Sequence, residues 1–444
     1  MNKDIFRPLL ASKKDLKEEI KKNIIGVHKK YYFDYTASGL AYKAIESRID
    51  EVLKTYANTH SKEASMAAKM DFYYKDARRH LKNSLKLGSE FAVLPSGCGA
   101  TSAIKKFQEI LGIYIPPATR KRFNIQSDSA SRPLIIIGPY EHHSNEVSYR
   151  EALCDTVRIG LNSDGVIDLK QLEQILKTSK YAQVIGAFCI ASNVTGIITP
   201  YEKISVLLRK YGALVCLDAA ASSPYMNVPS SLYDAMFLSP HKLIGGPGSC
   251  GILVIRKELI DESIAPSFAG GGTVEYVDRN THLFVDEKES REDAGTPGIL
   301  QLIRAALAYQ LRNEIGFIWI KKEKNRLLKH LIDGLLKMPR CTIYGNLQEE
   351  NIGIVSFNIE GINPYLLCSY MSKLSGIQTR AGCSCAGPYG HDLLGLDDNS
   401  NIETKPGWLR ISIHYSQEID DVEYLLCAIK KSVLEIDKNN SLKN

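Results

Sequence analysis

The chain of 444 residues predicts an α/β fold, with a mostly parallel sheet covered on both faces and a smaller α/β domain at the carboxyl end. Three observations carry this reading. Short apolar runs near Phe91, Leu134, Val157, Val184, Leu214, Ala235 and Ile252 have the length and composition of buried strands. Segments with helical apolar spacing separate them, as at 169–176 and 202–210, and such alternation builds parallel sheets. After a helical stretch from about 302 to 336 the pattern restarts, with strands at 351–358 and 409–413 and a closing helix at 419–436. The expected division is an N-terminal segment, 1–60, packing with the small domain, a large domain at 61–315 and a small domain at 316–444.

The N-terminal residues lead into an expected charged helix around Lys13 to Glu19, and no signal peptide is expected. The first strand run enters Ser96-Gly97-Cys98-Gly99 and then a helical pattern. Glycines at a helix start leave backbone N–H groups free to face an anion, with the helix dipole behind them. The segment 115–131 is polar and rich in Arg, Ser and Pro, and reads as a surface insertion. The second run leads to Gly138-Pro139-Tyr140-Glu141-His142-His143. There a flat imidazole, His142, can stack on a planar ring or relay protons. The alternatives are a wet loop or metal ligands, but no Cys/His set at zinc spacing completes a metal site, so none is expected.

The run 214–218 ends on Asp218, at the strand end where ligands bind in open α/β sheets. Its alternative role is a helix N-cap. The next run enters Ser239-Pro240-His241-Lys242 and then Gly245-Gly246-Pro247-Gly248. A lysine between a buried strand and a glycine turn is partly desolvated, which frees its amine for Schiff-base chemistry; alternatively it is a solvated surface charge. The cofactor that needs such an amine is pyridoxal 5'-phosphate (PLP), with an anion such as Asp218 keeping its ring nitrogen protonated. Ser239 and His241 flank the lysine as phosphate donors.

The order of phosphate loop, Glu141-His142-His143, Ser192-Asn193-Val194-Thr195-Gly196, Asp218-Ala219-Ala220, Ser239-Pro240-His241-Lys242 and Arg380-Ala381-Gly382-Cys383-Ser384-Cys385-Ala386-Gly387-Pro388 resembles the class V aminotransferase family of fold-type I PLP enzymes. The resemblance is to its cysteine desulfurase and selenocysteine lyase branch, and runs from about residue 33 to about residue 429. It implies that Lys242 joins the cofactor and then moves the α-proton. It implies that His142 stacks on the ring, that Asp218 holds the ring nitrogen, and that Asn193 lies beside the ring near the substrate carboxylate. Backbone groups of Cys98 and Gly99, with Ser239 and His241, would bind the phosphate. Thr296, in Ala294-Gly295-Thr296-Pro297, would reach the phosphate of a neighbouring subunit, so a homodimer is expected. Arg410 would clamp the substrate carboxylate bidentately, with Arg380 and His60 as further substrate-side residues.

Cys385 matches the family nucleophile, whose thiolate takes sulfur as a persulfide; its alternative is a buried structural cysteine. Gly382, Gly387 and Gly390 suit a mobile loop. Cys383, two residues before the nucleophile, would face the same side if that loop is extended. Ala221 stands where the branch has a glutamine for the cofactor phenolic oxygen, and Ser222 and Ser223 follow it, so that partner is open.

The expected function is conversion of L-cysteine or selenocysteine to alanine, with a possible sulfur-acceptor protein. The alternatives are another class V PLP reaction without persulfide chemistry, or a non-catalytic PLP-binding or sulfur-relay protein. A net charge of +6, from 56 basic and 50 acidic residues, is too mild for nucleic-acid binding. No apolar stretch spans a bilayer, so no membrane association is expected. Ten cysteines, many within apolar runs, point to a reducing cytoplasm.

Overall fold

In a computed structural model, residues 4–26, 31–59, 61, 63–125, 131–397 and 407–442 are described. Each of the seven apolar runs forms a strand of one sheet: β1 (Phe91–Ser96), β2 (Leu134–Ile137), β3 (Asp155–Arg158), β4 (Val184–Cys189), β5 (Leu214–Asp218), β6 (Ala235–Leu238) and β7 (Gly251–Arg256). Their spatial order is β1-β7-β6-β5-β4-β2-β3. β2 to β6 pair in parallel, whereas β7 runs antiparallel to both β6 and β1. The exception has a local cause. A parallel neighbour is reached by a crossover that usually contains a helix, and the β6 to β7 link, residues 239–250, holds only the short 3₁₀ turn carrying Lys242 and a Gly-Pro-Gly segment. The carboxyl ends of β1, β2, β4, β5 and β6 therefore share one edge of the sheet.

An exposed hairpin, β8 (Val274–Val277) and β9 (His282–Phe284), follows. The helical stretch read as continuous is two helices, Ile299–Ile315 and Phe317–Leu336, divided at Gly316, whose φ of 92° suits glycine. A second sheet is wholly antiparallel, in the order β10 (Cys341–Ile343), β11 (Ile354–Ile359), β13 (Trp408–Ser412) and β12 (Arg380–Gly382). It has its own core of Leu327, Leu331, Phe357, Leu409, Ile411 and Leu425, closed by the helix Ile419–Ser441.

The N-terminal residues contact both units. Ile5, Phe6 and Leu9 lie in the core around the large sheet, and Asp15 caps the helix Leu16–Asn23. Further on, Phe33 N–H donates to Gln378 O at 2.8 Å and Phe33 O accepts from Ser412 N at 2.8 Å. That places Asp34 beside β13 of the second sheet, where it bridges to Ser412. The polar insertion contains a helix, Pro117–Phe123, and its residues 126–130 lie outside the described residues. Among the described residues no helix is long and apolar enough to cross a membrane.

Candidate active site

The strand ends surround a cavity of about 220 Å³. Lys242, Asp218, His142, Asn193, Ser239, His241, Gly99, Arg380, Cys385 and Arg410 all line it, so residues more than 300 positions apart in sequence meet there. Two expected residues do not line it. Cys98 is exposed and turned toward a different surface cavity, where Thr296 also lies; its backbone carbonyl accepts from His241 Nδ1 at 3.0 Å, so it orients the imidazole instead of facing the anion. Thr296 Oγ1 accepts from Asn58 Nδ2 at 3.0 Å. His60 lies outside the described residues.

Burial pushes the Lys242 amine down to about 8, with Asp218 opposing the shift and Arg410 and Arg380 adding to it. A neutral amine is therefore accessible near physiological pH. Burial raises the Asp218 carboxyl, while the Ala220 N–H at 2.9 Å and the Lys242 charge pull it back. His142 is pushed down to about 4, first by burial and then by Lys242. Its Nδ1 accepts the Ser144 N–H at 3.1 Å, which assigns the proton to Nε2 and leaves a neutral ring at the cavity wall. Behind it, Glu141 is fully buried, accepts Cys189 N–H at 2.9 Å and Asn145 Nδ2 at 2.7 Å, and is raised by burial to about 8.

The donor set fits PLP. The helix Ala100–Ile110 points its N-terminus at the cavity, with Ser239 Oγ accepting Ala100 N–H at 2.9 Å. A Cβ at Gly99 would stand 2.9 Å from His241 Cε1 and 3.2 Å from Ser239 Oγ, so the missing side chain keeps a phosphate-sized cradle open. Asn193, which lines the same cavity, has its Oδ1 buried without a partner. In the turn after Asp218 the residues that line the cavity, Ala220 and Ala221, carry no side-chain donor for a phenolic oxygen, and Ser222 Oγ donates to Ala219 O. Gly99→Val is expected to fold normally and to weaken PLP binding by at least about tenfold, the scale of overpacking a fixed site. Titration of the apo-protein with PLP, followed by visible absorbance, checks this.

Arg410 is 2% exposed. It donates from Nη2 to Asp34 Oδ1 at 2.6 Å and from Nη1 to Asn193 O at 3.0 Å, while its Nε is unpartnered. An unpaired buried guanidinium costs several kcal/mol, so Asp34 holds the charge in place while donor capacity remains for a second carboxylate. Asp34 was not legible as a site residue. Its only sequence signal is a carboxylate after the short run Tyr31-Tyr32-Phe33, a pattern shared by many surface turns.

The Cys385 segment is not an extended loop. β12 ends at Gly382, Ser384 and Cys385 have φ of 54° and 58°, and Gly387 and Gly390 belong to the helix Gly387–Leu394. Two consecutive left-handed residues reverse the chain, so the expected shared facing of the two thiols fails. Cys385 lines the cavity, whereas Cys383 packs against the core of the large sheet. Arg380 Nη2 stands 4.0 Å from Cys385 Sγ, so a guanidinium borders the thiol at the cavity wall.

The aminotransferase class-V family model matches residues 31–425. A relative from Pyrococcus abyssi named as a probable cysteine desulfurase is 28% identical, covering 94% of this chain and 97% of its own. A Streptomyces coelicolor relative of the same name is 27% identical over 81% of this chain and 84% of its own. Among solved structures, the apo cysteine desulfurase of Thermococcus onnurineus is 26% identical with a TM-score of 0.78, covering 93% of this chain and 97% of its own. A cysteine desulfurase from Escherichia coli, at 21% identity and a TM-score of 0.75 over 94% of this chain and 98% of its own, shares the fold. The matched span takes in nearly every residue that meets at the strand ends, from Asp34 to Arg410, and the chain belongs to the aminotransferase class-V family, with its fold-type I architecture.

Proposed function

We propose that this protein is a PLP-dependent cysteine desulfurase, which moves the sulfur of L-cysteine, or the selenium of selenocysteine, onto Cys385 and releases alanine. The observation that carries this reading is that the Cys385 thiol and the Lys242 amine open into one cavity, with Arg410 on its wall. The desulfurase names of the relatives support it. PLP, when bound, supplies an aldehyde for an amine and a protonated ring that takes up electrons from bonds at the amino-acid α- and β-carbons.

The chain's own residues then have distinct tasks. Gly99, Ser239, His241 and the helix N-terminus hold the phosphate. Asp218 would hold the ring nitrogen, with the neutral His142 ring beside it at the cavity wall. Arg410, fixed by Asp34, orients the substrate carboxylate, with Asn193 and Arg380 beside it; orientation decides which substrate bond can break. Lys242, easily deprotonated where it sits, carries the α-proton. In the sulfur step the substrate C–S bond breaks, an S–S bond forms at Cys385, and the thiol proton ends on the alanine methyl, so no external oxidant is needed.

The division into a large domain at 61–315 and a small one at 316–444 is proposed on the two separate sheets, and the junction at the cavity suits closure over substrate. A homodimer in which Thr296 serves the neighbouring site, a sulfur-acceptor protein, and a cytoplasmic location consistent with ten unpaired cysteines complete the proposal. The test is direct. Purified protein loaded with PLP and given L-cysteine with a thiol reductant is expected to release alanine and sulfide in equal amounts. Turnover without sulfide would overturn the reading in favour of another class V reaction.

A further inference from the structure

His142 faces the cavity, and the next residue, His143, faces the segment that carries the thiol. The backbone N–H of His143 donates to Cys385 O at 2.8 Å. Its ring Nε2 accepts from Gly387 N–H at 2.9 Å. The two bonds therefore grip the turn on either side of Ala386, from the first residue of the helix His143–Arg150. Asn193 Nδ2 adds a third anchor on Ser384 O at 2.6 Å, and Trp408 Nε1 a fourth on Ser384 Oγ at 3.3 Å.

This grip has something to hold. Ser384 and Cys385 both sit in the left-handed region without being glycine, a conformation that is strained and persists only where the surroundings impose it. Gly387 is already at the N-terminus of its own helix, where backbone N–H groups lack intrahelical partners. A neutral imidazole nitrogen is the acceptor that one of them finds. Burial pushes His143 below the usual histidine range, with Glu146 opposing and Arg150 adding to the shift, which keeps that lone pair available. Accepting at Nε2 places the ring proton on Nδ1, the opposite tautomer from His142.

We propose that His143 is a positioning residue for the nucleophile: its ring latches the strained Ser384-Cys385 turn against the helix that begins the cofactor-facing wall, and so fixes where the Cys385 thiol points. The proposal rests on the desulfurase reading only for its consequence in turnover. The latch itself is a property of the protein without cofactor. The same pair of bonds has to open if the sulfur on Cys385 is to swing outward to an acceptor, so the latch trades speed of sulfur capture against speed of release.

The test compares His143→Ala with His143→Gln, whose Oε1 can replace Nε2 as the acceptor for Gly387 N–H. In the apo-protein, alkylation of Cys385 by iodoacetamide is followed by peptide mapping, with the exposed Cys98 and Cys427 as internal references. His143→Ala is expected to raise Cys385 alkylation about tenfold, the scale of losing one buried hydrogen bond, with the references unchanged and His143→Gln close to wild type. In the PLP-loaded protein, His143→Ala is expected to lower kcat for alanine formation with KM for L-cysteine little changed. Equal Cys385 alkylation in all three proteins, or equal increases in both variants, would overturn the latch. Release of the turn in His143→Ala with no alanine formed even by wild type would leave the latch standing and sink the desulfurase reading instead.

Discussion

Lys242→Ala is expected to fold normally and to lose alanine formation from L-cysteine by at least about 10³-fold, because one substitution removes both the amine that joins the cofactor and the group that moves the α-proton. Among the described residues no other lysine lines the cavity to replace it. The wild-type amine also carries a pH signature. Lysine is charged below its pKa and nucleophilic above it, and burial brings this one down to about 8. Covalent capture of added PLP by the apo-protein should therefore quicken as pH rises through about 8 and level off above it. Stopped-flow absorbance checks this, and a profile that keeps climbing to the ordinary lysine range would mean that the amine is not desolvated as the cavity implies.

Cys385→Ser is expected to separate binding from sulfur transfer. The substituted side chain keeps its shape in the turn, so PLP affinity and the spectral response to L-cysteine should stay within about twofold of wild type, since Arg410 and Lys242 are untouched. Alanine formation should fall by at least about 10³-fold, in the range that follows removal of a nucleophile, because a hydroxyl beside Arg380 is a far poorer sulfur acceptor than a thiolate. Cys383→Ser is the matched control. Its side chain packs against the core of the large sheet, and activity should survive the change.

The large sheet was legible because its information is local. The central strands are short, largely apolar runs of four to six residues, most of them between helical segments, and burial on both faces demands such runs; the edge strand β3, Asp155-Thr156-Val157-Arg158, is only half-buried. β10 and β12, at three residues each, are too short for a period to register, and the antiparallel β7 follows a link that holds no α-helix. In the site, Lys242, Asp218, His142 and Gly99 were readable because strand ends in an α/β sheet are where ligands sit. The Asp34 to Arg410 pair was not, since it joins positions 376 residues apart through backbone pairing of the N-terminal segment with β13. The turn at Ser384 and Cys385 escaped for a different reason: nothing in non-glycine residues announces positive φ, and the backbone is bent there by its partners His143, Asn193 and Trp408. Cys98 was misplaced because a glycine-rich loop does not reveal which of its groups face inward.

The central claim is that sulfur leaves the substrate onto Cys385 inside the Lys242 cavity. Stoichiometric L-cysteine, added to PLP-loaded protein without reductant and followed by mass mapping of the cysteine peptides, tests it most directly. One extra sulfur atom on the Cys385 peptide, formed with one alanine per site, is the predicted result. Alanine with no added sulfur on Cys385, or the added sulfur on another cysteine, would contradict it.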